Sequence, residues 1–492
     1  MREWQSLVQV CKRWQENIYA SPQYLDLFLY FSNASGDFVA KILDHWPRLP
    51  LIISCSIPDE CRGGNNGLYD LLAQQDRICR IHLFRFTTRS EADWIVEPMK
   101  QQYPHLTHLD LIAELTHDYR NLPYIFLGRF LGGSVPSLQH LCIDNFEYEG
   151  LPSLLSSAPN LISLQLKNIR PKCYVSPEEM VGTLARLTKL RELCVEFWRS
   201  FYIYIFRQLK KSQHPHSSSQ VRVIFPALTK FQIRGNVYSN DLMALIDAPQ
   251  LEDLSVVYTE RERCDGEEVI NAGNFSQFIS RTPTFKQFRH VELTLGRHIT
   301  YVNFDLPCGE CQQACLSLTV LGRGSWFTPF TDPARDMMHV LDQLTIMLSN
   351  VQHLSIKGIG SEDKEKQLKT RRLQNVDLAI NWLSLFHSLP AVEVVCVAWP
   401  LAGHVSRALK DMPEHMVVAT LPALQVLKLD NQDRRHKGKL MASTKQFLSL
   451  RKQSGHPVVI VNSWDQFVKR LSPHQLELSK SPPVLLVTSQ DA

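Results

Sequence analysis

One pattern of apolar and polar positions recurs along the chain. It reads proline, any residue, apolar, two residues, apolar, one residue, apolar, and its first copy is YPHLTHLDL. Six more copies are VPSLQHLCI, APNLISLQL, FPALTKFQI, APQLEDLSV, LPAVEVVCV and LPALQVLKL, and three without the proline are LTKLRELCV, FRHVELTL and VQHLSIKG. We call this pattern the strand phrase. Ten copies predict a repeating structural unit.

Each strand phrase predicts a short strand. Apolar residues at i and i+2, such as Leu109 and Leu111, project to one face of a strand, and the proline presets an extended chain before it. The corresponding pairs include Leu141/Ile143, Leu164/Leu166, Phe231/Ile233, Leu254/Val256, Val395/Val397 and Leu427/Leu429. Amphipathic segments such as SNDLMALIDAP, NFSQFISRTP, RDMMHVLDQLTIMLSN and AINWLSLFHSLP precede several phrases and predict helices. The repeating unit is therefore a helix, a turn and a strand.

Units of this kind bury their apolar sides only by stacking, which produces a parallel sheet backed by helices. The residue between the two strand apolars then points to the opposite, open face. In chain order these residues are Asp110, Cys142, Gln165, Cys194, Gln232, Ser255, Glu292, Ser355, Cys396 and Lys428. A phosphate-binding track would need arginine and lysine at these positions. The row is instead polar and mixed in charge, which predicts a face that binds protein substrates.

The strand phrase resembles the Leu-x-x-Leu-x-Leu motif of the leucine-rich repeat family. The resemblance implies an α/β solenoid, or horseshoe, with short parallel strands and irregular helices over residues 103–471. Successive phrases begin 23 to 63 residues apart, whereas about 20–29 residues is typical. The wider spacing predicts long loops and one further strand near ACLSLTVLG. A plain open α/β sheet is the alternative fold.

The first residues, LVQVCKRWQENIYASPQYLDL, show a second resemblance. They are similar to the last helix of an F-box, and LDHWPRLPLII is similar to the segment that follows it in fungal F-box proteins. The resemblance implies that Leu7, Val10, Cys11 and Trp14 contact a Skp-type adaptor and that a cullin is a further partner. It also implies a function: substrate recognition in a cullin-RING ubiquitin ligase.

The Leu-Pro dipeptide and first apolar helix of an F-box do not occur in this sequence, so we expect weak adaptor binding or none. The same helix also fits a cap on the first repeat. The resulting domain division is 1–28, a partial F-box-like segment; 29–102, a connecting or capping segment; 103–471, the repeats; and 472–492, an aperiodic tail expected to be poorly ordered. A repeat scaffold with no ubiquitin role is the alternative function.

Composition narrows the classes of function. The net charge of +4 over 492 residues gives little reason to expect nucleic-acid or membrane binding, and no run of about 18 apolar residues occurs. Twelve cysteines are too sparse for a disulfide scaffold, so we expect a cytoplasmic or nuclear protein. The common hydrolase, metalloprotease and nucleotide-binding motifs are absent from the sequence, which predicts a non-enzymatic protein without a cofactor.

A cluster of thiols is the one metal-like motif. CGECQQAC places Cys308, Cys311 and Cys315 at zinc-like spacing. A structural zinc site usually has a fourth ligand, which Cys264 or His298 would supply only through folding. We therefore expect no metal site, and a metal-dependent enzyme built on this insertion is the third hypothesis for function.

Overall fold

The computed structural model describes 49–57, 67–114, 124–126, 130–170, 175–198, 222–235, 237–259, 272–296, 299–305, 315–321, 333–358, 382–398, 401–429 and 437–461, with short pieces at 11–13, 16, 29–31, 39, 43, 173, 262–264 and 267–269. The chain divides into two compact units, Met1–Gln232 and Ile233–Ala492. Both units have a mixed α/β structure with a mostly parallel sheet.

The sheet of the first unit has its strands in the order β1-β2-β3-β4-β6-β8-β9, and every neighbouring pair is parallel. These strands are β1 Leu29–Phe31, β2 Leu51–Ser56, β3 Ile78–Phe86, β4 His108–Ala113, β6 His140–Asp144, β8 Ser163–Ile169 and β9 Glu192–Phe197. A separate parallel pair joins β5 Tyr124–Phe126 to β7 Glu147–Glu149. Two further strands are β10 Val223–Ile224 and β11 Lys230–Gly235, the latter at the boundary between the units.

The sheet of the second unit has the order β13-β18-β17-β16-β19-β20-β21-β22. Its strands are β13 Asp253–Tyr258, β16 His290–Leu295, β17 Ile299–Asp305, β18 Cys315–Leu321, β19 His353–Gly358, β20 Val394–Val397, β21 Val426–Leu429 and β22 Val459–Val461. The remaining strands are β12 Ile246–Asp247 and a hairpin of β14 Glu262–Cys264 and β15 Glu267–Val269. Strand β17 is antiparallel to both neighbours, and the other pairs are parallel.

Helices connect the strands in both units. Their bounds are α1 Gly67–Leu72, α2 Arg89–Val96, α3 Leu151–Ser156, α4 Pro177–Leu184, α5 Val237–Leu245, α6 Gly273–Arg281, α7 Pro333–Asp342, α8 Thr345–Leu348, α9 Trp382–His387, α10 Ala402–Lys410 and α11 Lys437–Gln453. Short 3₁₀ segments cover Pro98–Lys100, Phe130–Gly133, Pro283–Gln287 and Glu414–Met416. The four amphipathic segments singled out in the sequence all contain helix, although the longest is divided into α7 and α8.

Each of the ten strand phrases forms a strand, as predicted, and its apolar residues are buried. The first apolar residues of the phrases are all at most 2% exposed: Leu106, Leu138, Leu161, Leu190, Leu228, Leu251, Phe288, Val351, Val392 and Leu424. The strand residues Leu109, Leu164, Leu254 and Leu427 are at most 1% exposed. Parallel registers align these positions, so Leu109 pairs with Leu141, and Leu141 with Leu164. The core therefore lies on one face of each sheet.

The proline of the phrase has a different role from the one predicted. It does not simply extend the chain; it occupies the second position of a β-turn. The amide of Leu106 donates to the carbonyl of Tyr103 across Pro104 at 3.2 Å, and the amide of Leu161 donates to the carbonyl of Ala158 across Pro159 at 3.2 Å. Proline is favoured at this position because its fixed φ matches the turn.

The order of strands departs from the order of the phrases. The strand near ACLSLTVLG is present as β18, but β18 and β17 lie between β13 and β16, which belong to successive phrases. A strand of opposite direction fits here because β16, β17 and β18 follow one another as an antiparallel meander. In addition, the connecting segment 29–102 contains β2 and β3, which extend the first unit's sheet.

Candidate functional site

Three aligned rows of side chains lie on the face of the first unit's sheet opposite the leucine core, which the sequence predicts to be the open face. The central row consists of His82, Asp110, Cys142, Gln165 and Cys194, which are register partners on successive strands. The leading row, two residues earlier, consists of Arg80, His108, His140, Ser163 and Glu192. The trailing row contains Ile112, Asp144 and Lys167. The face therefore presents polar groups about 4.8 Å apart from strand to strand.

Many polar groups on this face are bonded to one another. His82 Nδ1 lies 3.2 Å from Asp110 Oδ2, and the hydroxyl of Ser163 donates to Glu192 Oε2 at 3.0 Å. The amide of Gln232 donates to Glu196 Oε1 at 2.7 Å. These contacts restrict the conformations of the side chains on this face.

Two histidines of the leading row are stacked. The ring centroids of His108 and His140 lie 4.2 Å apart with an interplanar angle of 17°. Burial, together with the nearby His140 and Arg80, lowers the pKa of His108 to about 4. His108 is therefore neutral near pH 7 and offers hydrogen bonds without a charge.

Two thiols flank the lysine of the trailing row. Cys142 and Cys194 are each 8% exposed. They are therefore more buried than the alternation along a strand predicts for residues that face away from the core. Burial raises the pKa of the Cys142 thiol to about 12, and burial also raises the pKa of the Cys194 thiol. Burial alone would lower the pKa of Lys167, but Cys142, Cys194, Glu196 and Asp144 outweigh it and raise the pKa. At neutral pH the thiols are protonated and poor nucleophiles, whereas the lysine is charged.

The second unit has its own central row on the open face. It consists of Ser255, Ser317, Asn303, Glu292, Ser355, Cys396 and Lys428, aligned by strand register. Glu292 forms a partly buried ion pair with Lys357 on the adjacent strand, with Nζ and Oε2 2.8 Å apart. In the leading row, burial and then His290 lower the pKa of His353 to about 4. His290 Nδ1 itself lies 3.5 Å from Asp305 Oδ2.

The face changes character at the last strands of the second unit. Val394, Cys396, Val426 and Val461 form a small apolar cluster separate from the leucine core. Val394 is 4% exposed and Val461 is 2% exposed, whereas Val459 remains 43% exposed. Burial raises the pKa of the Cys396 thiol, and the nearby Lys428 opposes that shift.

The structure brings together most of the predicted substrate-binding row, but in two groups. Asp110, Cys142, Gln165 and Cys194 are consecutive in the first unit, and Gln232 is linked to them through Glu196. Glu292, Ser355, Cys396 and Lys428 are consecutive in the second unit. Ser255 is separated from Glu292 by Ser317 and Asn303.

Sequence reasoning missed the histidines and the Glu292–Lys357 pair. A signal for the histidines was present, because HLDL, HLCI, HVEL and HLSI all begin with histidine at the same phrase position. That common position places His108 beside His140 and His290 beside His353 in the sheets. The ion pair could be predicted only from the order of the strands in the sheet, because Glu292 and Lys357 are 65 residues apart in the chain.

The predicted adaptor and metal residues lie mostly outside the described residues. Cys11 is exposed, while Leu7, Val10 and Trp14 fall outside the described part of the chain. Of the thiol cluster, Cys315 is described as a free cysteine on β18, and Cys308, Cys311 and His298 fall outside. Within the described ranges, no group of three or more histidine, cysteine or carboxylate side chains is placed to hold a metal ion.

A cleft of about 360 Å³ opens where the strands of the first unit begin. Its lining comprises His105, Thr107, Ser137, Gln139, Asn160, Ile162 and Lys189. The Ser137 hydroxyl donates to the carbonyl of Pro104 at 2.6 Å, and the Asn160 amide donates to that of Pro136 at 2.8 Å. Because these groups join successive turns, the polar lining of the cleft holds neighbouring strand phrases together.

No protein-family description matches this chain, and no curated protein sequence does. Among the helices in the described part of the chain, none combines the length and apolar character that crossing a membrane requires.

Proposed function

We propose that this chain is a leucine-rich-repeat receptor that binds protein targets through the open faces of its sheets. The observation that carries the proposal is the alignment of the central row, in which equivalent polar positions of successive phrases are register partners on neighbouring strands. An aligned row of this kind is an extended surface of the type that repeat proteins use for binding.

The same observations favour a solenoid over the plain open sheet. Strands such as β4 and β13 alternate between buried residues and half-buried polar residues. A doubly wound sheet covers both faces with helices and has apolar residues on both. The central rows instead carry Asp110 and Gln165 in one unit and Glu292 in the other, which fits stacked repeats with one face open to a partner.

The chemistry of the face suits a folded protein target. It combines fixed carboxylates, uncharged imidazoles and single lysines such as Lys167 and Lys357, with no continuous run of cations among the described residues. Mixed and preorganised polar surfaces with small residues favour protein side chains, whereas nucleic acid needs clustered positive charge. The protonated thiols point to recognition and not to nucleophilic chemistry.

The role in ubiquitin transfer rests on the resemblance of residues 1–28 to an F-box. In this proposal the repeat face holds the target, the first helix contacts a Skp-type adaptor, and the cullin-bound enzyme supplies the ubiquitin. The alternative is the same receptor acting as a scaffold outside any ligase. The repeat face has the same role in both.

The binding face is tested by blocking it. The full chain is used as bait for quantitative capture from cell extract. It is compared with Gln165→Arg, Ser355→Arg and the control Lys410→Glu, which changes an exposed residue at the end of helix α10. We expect the two open-face variants to lose a common set of captured proteins that the control retains. Retention of that set by both variants would rule out the open face as the binding surface.

The adaptor contact is tested separately with a purified Skp-type adaptor. Weak binding by residues 1–492 that disappears in Trp14→Ala supports the ligase receptor. The absence of measurable binding, combined with normal target capture, supports the scaffold. Binding that is indifferent to Trp14→Ala would exclude the F-box interpretation of the first helix.

A further inference from the structure

The cleft at the start of the first unit's strands is lined by two rows of equivalent phrase positions. The first row directly precedes the first apolar residue of each phrase and comprises His105, Ser137, Asn160 and Lys189. The second row directly follows that apolar residue and comprises Thr107, Gln139 and Ile162. We call this feature the strand-start cleft. It extends over the first four strand phrases, so its length is about 14 Å, the sum of three intervals between neighbouring strands.

Arg191 is the next member of the second row. The amides of Gln139, Ile162 and Arg191 each donate to the carbonyl of the preceding member of the row, at 2.7–2.8 Å. This ladder places the backbone of Arg191 next to Ile162, at the end of the cleft that contains Lys189. Both basic residues are exposed. One end of the strand-start cleft therefore has two positive charges.

These two charges have no acidic partner. Lys189 Nζ donates to Asn160 Oδ1 at 2.7 Å, which is a bond to a neutral amide. Among the described residues, neither Lys189 nor Arg191 forms an ion pair, and no carboxylate is present in the lining of the cleft. A site with cations and without carboxylates attracts an anionic ligand.

The middle of the cleft offers neutral hydrogen-bonding groups. The side-chain amide of Gln139 has no hydrogen-bond partner within the described part of the chain. The Ser137 hydroxyl donates to the carbonyl of Pro104 and keeps its own lone pairs as acceptors. Ile162 adds an apolar surface between these groups and the basic end. An amide donor and a hydroxyl acceptor match the carbonyl and N–H groups of a peptide backbone.

The dimensions and the distribution of charge favour a peptide over other anions. A length of about 14 Å corresponds to about four residues of extended chain. A nucleic acid strand carries a phosphate on every nucleotide and would need cations along the whole cleft. Here the cations are at one end only, and neutral groups fill the remainder.

We infer that the strand-start cleft binds an acidic segment of a protein. Carboxylates of the segment pair with Lys189 and Arg191, and its backbone bonds to Gln139 and Ser137. The inference stands apart from the proposed function, because the cleft lies where the strands begin and not on the central row. Its test needs neither a known target nor the Skp-type adaptor.

The experiment measures binding of fluorescent peptides to the purified full chain by fluorescence anisotropy. The probe is an eight-residue peptide with four consecutive glutamates, and matched peptides carry four glutamines, four lysines or four phosphoserines at the same positions. We expect the glutamate peptide to bind and the glutamine and lysine peptides not to bind. An ionic strength of about 0.5 M should strongly weaken the interaction, because salt screens exposed charges.

The site is located with charge-removing variants. Lys189→Gln/Arg191→Gln should weaken binding of the glutamate peptide about tenfold, because two exposed ion pairs are lost. The matched control Arg407→Gln/Lys410→Gln removes the same pair of charges from exposed positions of helix α10 and should keep the wild-type affinity. Gln139→Lys adds a cation in the middle of the cleft and should tighten binding several-fold, a gain that misfolding cannot produce.

Four outcomes would overturn the inference. The wild type could fail to bind the glutamate peptide. The glutamine peptide could bind equally well, which would show that charge is not recognised. The control variant could weaken binding as much as Lys189→Gln/Arg191→Gln, which would show attraction by net charge alone. The phosphoserine peptide could bind while the glutamate peptide does not, which would assign the cleft to phosphorylated segments.

Discussion

The imidazole rings of His108 and His140 stack across two neighbouring strands with their centroids 4.2 Å apart. Both rings come from the same position of the strand phrase, and Thr107 Oγ1 lies 2.8 Å from His108 Nδ1. Burial, followed by the nearby His140 and Arg80, lowers the pKa of His108 to about 4 in this arrangement. In the second unit His290 and His353 are register partners at the same phrase position.

This stack predicts a pH dependence of stability. The pKa of His108 is about 4 in the folded protein, below its ordinary value of 6.5, so the unfolded chain takes up the proton first as the pH falls. The stability supplied by neutral His108 is therefore present above about pH 6.5 and is lost as the pH falls towards 4. Urea midpoints at pH 7 and pH 5 should differ less in His108→Gln than in the wild type.

The control for this prediction is His415→Gln, which makes the same change at an exposed position. It should leave the wild-type difference between the two pH values unaltered. Equal differences in the wild type and in His108→Gln would show that the stacked histidine does not contribute to the acid sensitivity.

A second prediction concerns the alternation along each strand. Leu109, Leu164, Leu254 and Leu427 are fully or almost fully buried, so truncation of each to alanine should cost about 2–5 kcal/mol of unfolding free energy through lost burial and a cavity. Alanine at Asp110, Gln165, Ser255 or Lys428 should change it by no more than about 0.5 kcal/mol. Urea unfolding of the eight variants measures both sets, and comparable losses at Gln165 and Leu164 would contradict an open face.

A third prediction concerns a buried arginine at the end of the second unit. Arg451 on α11 is 0% exposed. Its Nη1 donates to the carbonyls of Val417 and Leu421, and its Nη2 to those of Pro422 and Leu424, at 3.0–3.4 Å. It therefore ties α11 to the turn of the final strand phrase.

Arg451→Met should destabilise the protein by about 2–3 kcal/mol, because it leaves buried carbonyl oxygens without donors. The neighbouring exposed change Lys452→Met should have an effect within about 0.5 kcal/mol. Thermal unfolding of both variants provides the comparison, and similar melting temperatures for the two would show that the carbonyls find other donors.

A fourth prediction concerns the first turn of α2. The hydroxyl of Thr88 accepts from the amide of Glu91, and Glu91 Oε2 accepts from the amide of Thr88 at 3.2 Å, which forms a capping box. Thr88→Ala should cost about 1 kcal/mol, while Thr88→Ser should retain most of the stability because serine keeps the acceptor. Chemical denaturation of both variants measures the difference. Equal losses of stability in the two variants would show that Thr88 contributes through its methyl group and not through its hydroxyl.

Much of the architecture could be predicted from the repeated phrase. Apolar residues spaced at i and i+2 make a strand with one buried face, and the ten first apolar residues and the leucine pairs are buried as that spacing requires. The central row could be predicted for the same reason, since the intervening residue must point away from the core. The sequence also marked the extra strand at ACLSLTVLG.

The order of strands could not be predicted in this way. Strands β17 and β18 lie between β13 and β16 because the meander pairs through backbone hydrogen bonds. The strand phrase describes side chains only, so it carries no information about this pairing. The contribution of β2 and β3 to the sheet was missed because they lack the full phrase and so carry no repeat signal.

The sequence by itself determined which residues face the core and which face outward, because the period of a strand is a local property of the backbone. Only the tertiary structure decided which outward residues meet. His108 stacks on His140, Glu292 pairs with Lys357, and Val394 joins Val461 because strands distant in the chain become neighbours at a spacing of about 4.8 Å. The charge states follow from the same proximity, since burial and neighbouring charges, not residue type, keep His108 neutral and the Cys142 thiol protonated.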